Sequence, residues 1–211
     1  MKQTDAVTSI ARRPGRPPGG HLAIDAEAIL DAAERVIEHD GPGASIEAVA
    51  VEAGITKPIV YARVGSRAEL ANALADRLAA RMVDAARRAL AGQAFSRASL
   101  TEFIAANLRV VLTHRNLFLY VTGGSTEQTA LGRLGLAERS TTPLAAGLEQ
   151  WRRAAGLDST VAESWAFGIV GMLQMASLWV IDESSPDPDR VADHLADLLW
   201  WGMAGEPGRT T

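Results

Sequence analysis

Lys57, Arg63 and Arg67 set three cations around the short stretch Thr56-Lys57-Pro58-Ile59-Val60-Tyr61. An ammonium or guanidinium group donates hydrogen bonds to anionic oxygens and to the acceptor edges of nucleobases, and guanidinium does so two at a time. Nothing nearby supplies a nucleophile paired with a base. The chain contains no Gly-x-Ser-x-Gly elbow, His-Glu-x-x-His zinc motif, P-loop or dinucleotide fingerprint. His114 and Arg115 near Tyr120 form the nearest thing to a polar cluster, and they read as a helix end. The chemistry on offer is recognition of a polyanion, not bond making, and no enzyme activity or cofactor is expected.

The elements that must carry these groups are legible around them. Ser45 is a suitable N-cap, and Ile46, Val49 and Ala50 recur at helical spacing behind it. Gly54 ends that helix by allowing the positive φ of a sharp turn, Ile55 can plug the gap, and Thr56 or Lys57 caps the next helix. Pro58 falls in its first turn, where a missing N–H costs little. Two short helices around a tight turn make a helix-turn-helix, whose second helix is of the kind that enters the DNA major groove. A first helix from about Asp25 to Glu38 precedes it, with Ile29, Leu30, Ala33, Val36 and Ile37 as its buried stripe. Ser66-Arg67-Ala68-Glu69 fits a capping box that opens a fourth helix running to about Leu90. Its length is about 35 Å at 1.5 Å per residue, enough to join two domains mechanically.

Beyond it, Ser99-Leu100-Thr101-Glu102 predicts a second capping box, opening a helix that ends near His114. Residues 115–140 read as short helical pieces broken by Gly123, Gly124, Gly132 and Gly135. A helix from about Thr142 to Ala155 follows. Asp158 is expected to cap an apolar helix reaching Ile181, and the last helix runs from about Pro188 to Met203. The chain is therefore expected to be all-α: a basic arm over 1–21, a helix-turn-helix domain over 22–70, and a helical domain over 71–211. Cysteine is absent, which removes disulfides and thiolate metal sites, and the four histidines show no ligand spacing. The N-terminus lacks the apolar core of a signal peptide. The stretch Trp165 to Ile181 is short for a membrane span, so the expected compartment is the cytoplasm.

The charge of the 211-residue chain is −4, distributed as +3 over residues 1–21, −5 over 22–70 and −2 over the remainder. An acidic helix-turn-helix suits a polyanion badly. Its acids, however, gather in the first helix (Asp25, Glu27, Asp31, Glu34, Glu38), while the bases Lys57, Arg63 and Arg67 lie on or beside the second helix of the motif.

The stretch from Ile24 to Leu78 resembles the tetracycline-repressor (TetR) family of bacterial transcription regulators. The resemblance rests on Ala50, the turn Ala53-Gly54, Tyr61 closing the recognition helix, and Ser66-Arg67-Ala68-Glu69-Leu70 opening the next one. Two departures stand out: Val64 replaces the usual aromatic, and Arg67 replaces the usual lysine. The resemblance implies a two-fold dimer whose helical domain binds a small molecule and releases duplex DNA. It places Thr56, Lys57, Pro58 and Tyr61 on the groove-facing surface. Lys57 would meet a guanine edge or a phosphate, and Pro58 or the Thr56 methyl a thymine methyl. Tyr61, Arg67 and the helix N-terminus at Ser45 would contact phosphates, with Arg63 either beside them or simply solvated.

In the arm, Gly15-Arg16-Pro17 sits within ARRPGRPPGG. Prolines hold such a segment extended, so that Arg16, with Arg12 and Arg13, can lie along a narrow A·T minor groove. The plainer alternative is a flexible basic tail that adds counterion release.

The helix from Asp158 to Ile181 is apolar on nearly every side and so must be covered all round. In a family dimer it packs with the last helix against their symmetry mates. Gly168 and Gly171 would permit close approach, with Leu178 beside them and Val191, Leu195, Leu198 and Leu199 on the last helix. Large side chains of the same domain could instead line a ligand cavity: Phe103, Trp151, Trp165, Met172 and Met175 as apolar wall, with Asn107 or Gln174 orienting one polar group. The effector is then an apolar or aromatic molecule. The rival expectation is a DNA-binding repressor with no effector.

Overall fold

The computed structural model describes residues 25–92, 95–123, 128–181 and 187–204, with the side chains of 128–138 and 203–204 left aside. Among the described residues all regular structure is helical: α1 (Ala26–Asp40), α2 (Ile46–Glu52), α3 (Lys57–Val64), α4 (Arg67–Leu90), α5 (Arg97–Thr113), α6 (Arg115–Gly123), α7 (Gln128–Ala154), α8 (Ala162–Val180) and α9 (Pro188–Ala204). No helix among them is long and apolar enough to cross a membrane.

Two apolar cores organise these helices. The first gathers Ile29, Ile37, Val49, Val60, Leu70, Leu74 and Leu78 from α1 to α4, and it continues into Leu117, Phe118 and Tyr120 of α6. The second joins Ile104 and Leu108 of α5 to Ala166, Ile169 and Leu173 of α8 and to Val191, Ala192 and Ala196 of α9. Helix α4 belongs to both, because its first half carries Leu70 to Ala79 into the first core while Ala86 and Leu90 pack on the second. Fully burying each of its leucines is worth about 1.5–3 kcal/mol, so the connection is a stiff one.

Local chemistry sets the N-terminal helix ends where the sequence predicts. Asp25 accepts from the Ala28 amide at 2.8 Å and Ser45 from that of Ala48 at 3.1 Å. The Ser66–Glu69 capping box closes in both directions, at 3.2 and 2.7 Å.

Three expectations need correcting. Helix α5 opens one turn earlier than Ser99, on Ser96, because the two serines bond each other's amides and Ser99 turns into the interior with no exposed surface. Asp158 caps no helix; its carboxylate accepts from the amide and hydroxyl of Thr160 in a tight turn, and α8 starts only at Ala162. Residues 128–154 form one helix, not fragments, and it runs through Gly132, Gly135 and Pro143.

Candidate functional site

In the helix-turn-helix, Ile46, Val49 and Ala50 fix α2 to the first core, and Gly54 takes φ 67° so that the Ile55 amide can bond back to the Ala50 carbonyl at 2.9 Å. Helix α3 is held by Val60, which is wholly buried, with Ile55 and Val64 packed partly against the same core. The opposite side of α3 is left to solvent. Thr56 occupies the N-cap position without spending its hydroxyl on a cap, and Pro58, Tyr61 and Arg63 are exposed beside it. Tyr61 keeps 42% of its surface, a large value for an aromatic side chain. Among the described residues Arg63 has no carboxylate partner.

Lys57 has one. Its Nζ meets Glu47 of α2, and the ammonium lies 5.9 Å from the Tyr61 ring centre. The hydrogen bond from Lys57 holds the Glu47 carboxyl below its usual pKa and raises that of Lys57 in return. Glu47 was not singled out in the sequence, where a lone acid in a first turn looks like an ordinary helix-dipole partner. On this surface it both orients Lys57 and puts negative charge where a phosphate would approach. Glu47→Gln should therefore tighten DNA binding roughly threefold at low salt, with the gain shrinking as salt rises. A titration by fluorescence anisotropy at two ionic strengths measures it; equal or weaker binding by the variant contradicts this role.

Arg67 stands apart from the groove-facing set. Its Nη2 donates to the Ala44 carbonyl at 3.2 Å, and its guanidinium lies 5.5 Å from the Tyr120 ring centre. Burial pushes the Tyr120 phenol up, and Arg67 offsets part of that shift. Arg67 thus ties the α1–α2 loop, the start of α4 and α6 together. Arg12, Arg13 and Arg16 of the arm lie outside the described residues.

The acids of α1 are engaged away from α3. Arg77 of α4 binds Glu27, Asp31 and Glu34, and Arg81 binds Glu34 at 2.5 Å. Burial works against the Arg77 charge, but the three carboxylates outweigh it and raise its pKa above the ordinary arginine value. Glu52 takes Arg35, and Glu38 faces His114 at 3.4 Å. Glu27, Asp31 and Glu34 thus clasp α1 to α4, away from α3, and leave Glu47 as the acid paired with Lys57 beside Tyr61.

Beside the second core a cavity of about 750 Å³ opens between α4, α5, α7 and α8, with Phe118 of α6 at one side. Phe103, Asn107, Trp151 and Gln174 line it. Trp165, Met172 and Met175, expected on the same wall, are not there. Trp165 stacks on the buried Arg152 guanidinium at 4.3 Å, Met172 is half-buried off the wall, and Met175 is exposed. Phe95, Phe118 and Leu173 also line it and were missed, as were the contributions of α4 and most of α7. An apolar residue pattern marks burial without telling wall from core, so the sequence held no signal for them.

Gly168 and Gly171 lie on the exposed side of α8 with Phe167, Met175 and Trp179, and Leu198 and Trp201 are exposed on α9. Val191, expected on that face, is instead buried within the chain's own second core, and Leu195 and Leu199 are partly taken up by it too. Leu178 packs partly on the first core. Helix α9 is pinned from behind by Arg97, which binds Asp193 and Asp197.

Residues 29–74 match the family of bacterial regulatory proteins, tetR family. No curated protein matches the chain significantly. Among solved structures, the chain is similar to the TetR family repressor AlkX from Dietzia sp. strain DQ12-45-1b, implicated in biodegradation of n-alkanes (21% identity over 89% of this chain and 98% of that one, TM-score 0.60). It is also similar to a TetR-like transcriptional regulator from Rhodococcus sp. RHA1 (25%, 85% and 96%, 0.59). A third is the transcriptional regulator FadR from Bacillus subtilis in complex with stearoyl-CoA (18%, 84% and 98%, 0.62).

Proposed function

We propose that this chain, whose residues 29–74 match the family of bacterial regulatory proteins, tetR family, is a DNA-binding regulator: a homodimeric, ligand-released repressor of the bacterial cytoplasm. The observation that carries the reading is the placement of α4. One end is capped against the helix-turn-helix, and the other presents Met82, Val83, Ala86 and Leu90 to the cavity. A molecule that binds one arrangement of α4 better than another shifts the orientation of α3 with it.

Two further features support the pairing and the effector. Phe167, Met175 and Trp179 on α8 and Leu198 and Trp201 on α9 are large apolar side chains left exposed, a feature that marks interaction surfaces when such residues adjoin. A second copy covers them in an isologous contact. Two recognition helices related by a two-fold axis then read a near-palindromic operator, with the basic arm adding contacts alongside. The cavity falls in the size range of small-molecule sites and is walled largely by Phe95, Phe103, Phe118 and Trp151. AlkX is implicated in biodegradation of n-alkanes and the Bacillus subtilis FadR forms a complex with stearoyl-CoA, so an effector with a long hydrocarbon part is the class we take for this chain.

Selection of genomic fragments on the purified protein, followed by gel shift and sedimentation, tests the proposal. We expect one preferred near-palindromic site, two chains per site, and release by an apolar compound that also raises the melting temperature by mass action. A strictly monomeric protein, or one with no preference over random competitor DNA, refutes the regulator. A dimer that binds its site but gains no stability from any apolar compound refutes the effector.

A further inference from the structure

The polar groups inside the cavity bear on the kind of head group its occupant carries. Asn107 of α5 is only 8% exposed, and its Nδ2 donates to the Phe103 carbonyl at 2.8 Å. A carbonyl can only accept, so the nitrogen must sit at that end of the amide and Oδ1 at the other. No described residue donates to Oδ1, and the residue forms part of the cavity wall. Across from it, Ser177 of α8 is 2% exposed and lines the same cavity, with its hydroxyl engaged by no described residue. Around both groups the wall is largely apolar, with Phe103, Phe118, Leu148 and Leu173, while Ser140 and Gln174 of the same lining are already engaged. The cation of the lining, Arg87, has a side chain 75% exposed and faces Asp84 at 3.8 Å, so its charge is held at the solvent side.

We infer that the cavity is built for a neutral apolar molecule carrying one hydroxyl, with its proton given to Asn107 Oδ1 and an oxygen lone pair available to Ser177. This deepens the effector reading above and rests on it. A bare hydrocarbon would displace water from both groups and leave them unsatisfied in an apolar surround, which is the costly outcome for a buried acceptor. An ionised acid would set a carboxylate against the Asn107 oxygen with no cation among the described residues inside to balance it. A methyl ether keeps the oxygen but has no proton to give. Removing a single donor that a buried acceptor depends on reduces affinity by about tenfold.

The test uses the full-length protein and two pairs of probes, 1-dodecanol with its methyl ether and 4-nonylphenol with its methyl ether, alongside dodecane and dodecanoate. Affinities are read by thermal shift and by release of bound DNA. In at least one pair the hydroxyl compound should bind about tenfold more tightly than its ether and more tightly than dodecane or dodecanoate. The gap should close in Asn107→Leu, and Ser177→Ala provides a milder variant in which it narrows. Hydroxyl and ether binding equally well to the unaltered protein overturns the head-group assignment and leaves the effector reading standing, and so does a preference undiminished in Asn107→Leu. If no probe binds at all, both fall together.

Discussion

The double variant Lys57→Ala, Tyr61→Ala should lose operator binding altogether while remaining a folded dimer. Both side chains project from α3 on the side away from Val60, and neither belongs to a buried cluster. Removing them costs the core nothing comparable to a buried leucine. On the DNA side the loss is a charge-assisted donor and an aromatic hydroxyl, each presented twice in a symmetric pair. One good contact of this kind is worth about 1–3 kcal/mol, so four lost contacts exceed the margin between specific and non-specific binding. Gel shift on the selected operator measures the loss, and circular dichroism with sedimentation confirms that fold and assembly survive. Retained affinity in a well-folded double variant would remove α3 from the interface.

The second large effect is expected at Arg77. Arg77→Met keeps most of the aliphatic stem but withdraws the charge that Glu27, Asp31 and Glu34 share. The guanidinium is 20% exposed, but two of the three carboxylates are mostly in solvent, which screens their share. About 1–2 kcal/mol of stability should go, seen as a melting point lower by about 3–6 °C for a chain of this size. The sharper consequence is functional. With α1 no longer clasped to α4 at this point, DNA affinity should fall only slightly while effector-driven release is blunted severalfold. A variant that melts lower but releases DNA at the same effector concentration as the parent would make the clasp purely structural.

These expectations divide along what a sequence can express. Ser45, Gly54 and Ser66 were legible because a cap or a positive φ depends on neighbours a few residues away. The Ser99–Glu102 box failed for a competing local reason. Ser96 stands three residues earlier, and burial of Ser99 tips the choice toward the earlier start. At α7 the glycines point to breaks, yet packing against α4, α6 and α8 carries the helix through. Acids in α1 were visible as charge, but their partners Arg77 and Arg81 lie more than forty residues away, and only the fold pairs them. Of the site, the face of α3 was readable and the cavity in part. Asn107 stood out by being polar in an apolar helix, whereas nothing distinguished Phe118 on the wall from a phenylalanine in the interior.

The junction between α3 and α4 has a consequence for how such a chain can drift. Gly65 sits at φ 76°, and a Cβ placed there would run into the Glu69 carboxylate that closes the capping box. Any larger residue at 65 must therefore dislodge the acid and strain its own backbone in the same step. An ancestor that lost the carboxylate first would face only the second of these penalties. The order in which mutations arrive decides which are tolerated, so substitutions at these two positions should be strongly epistatic.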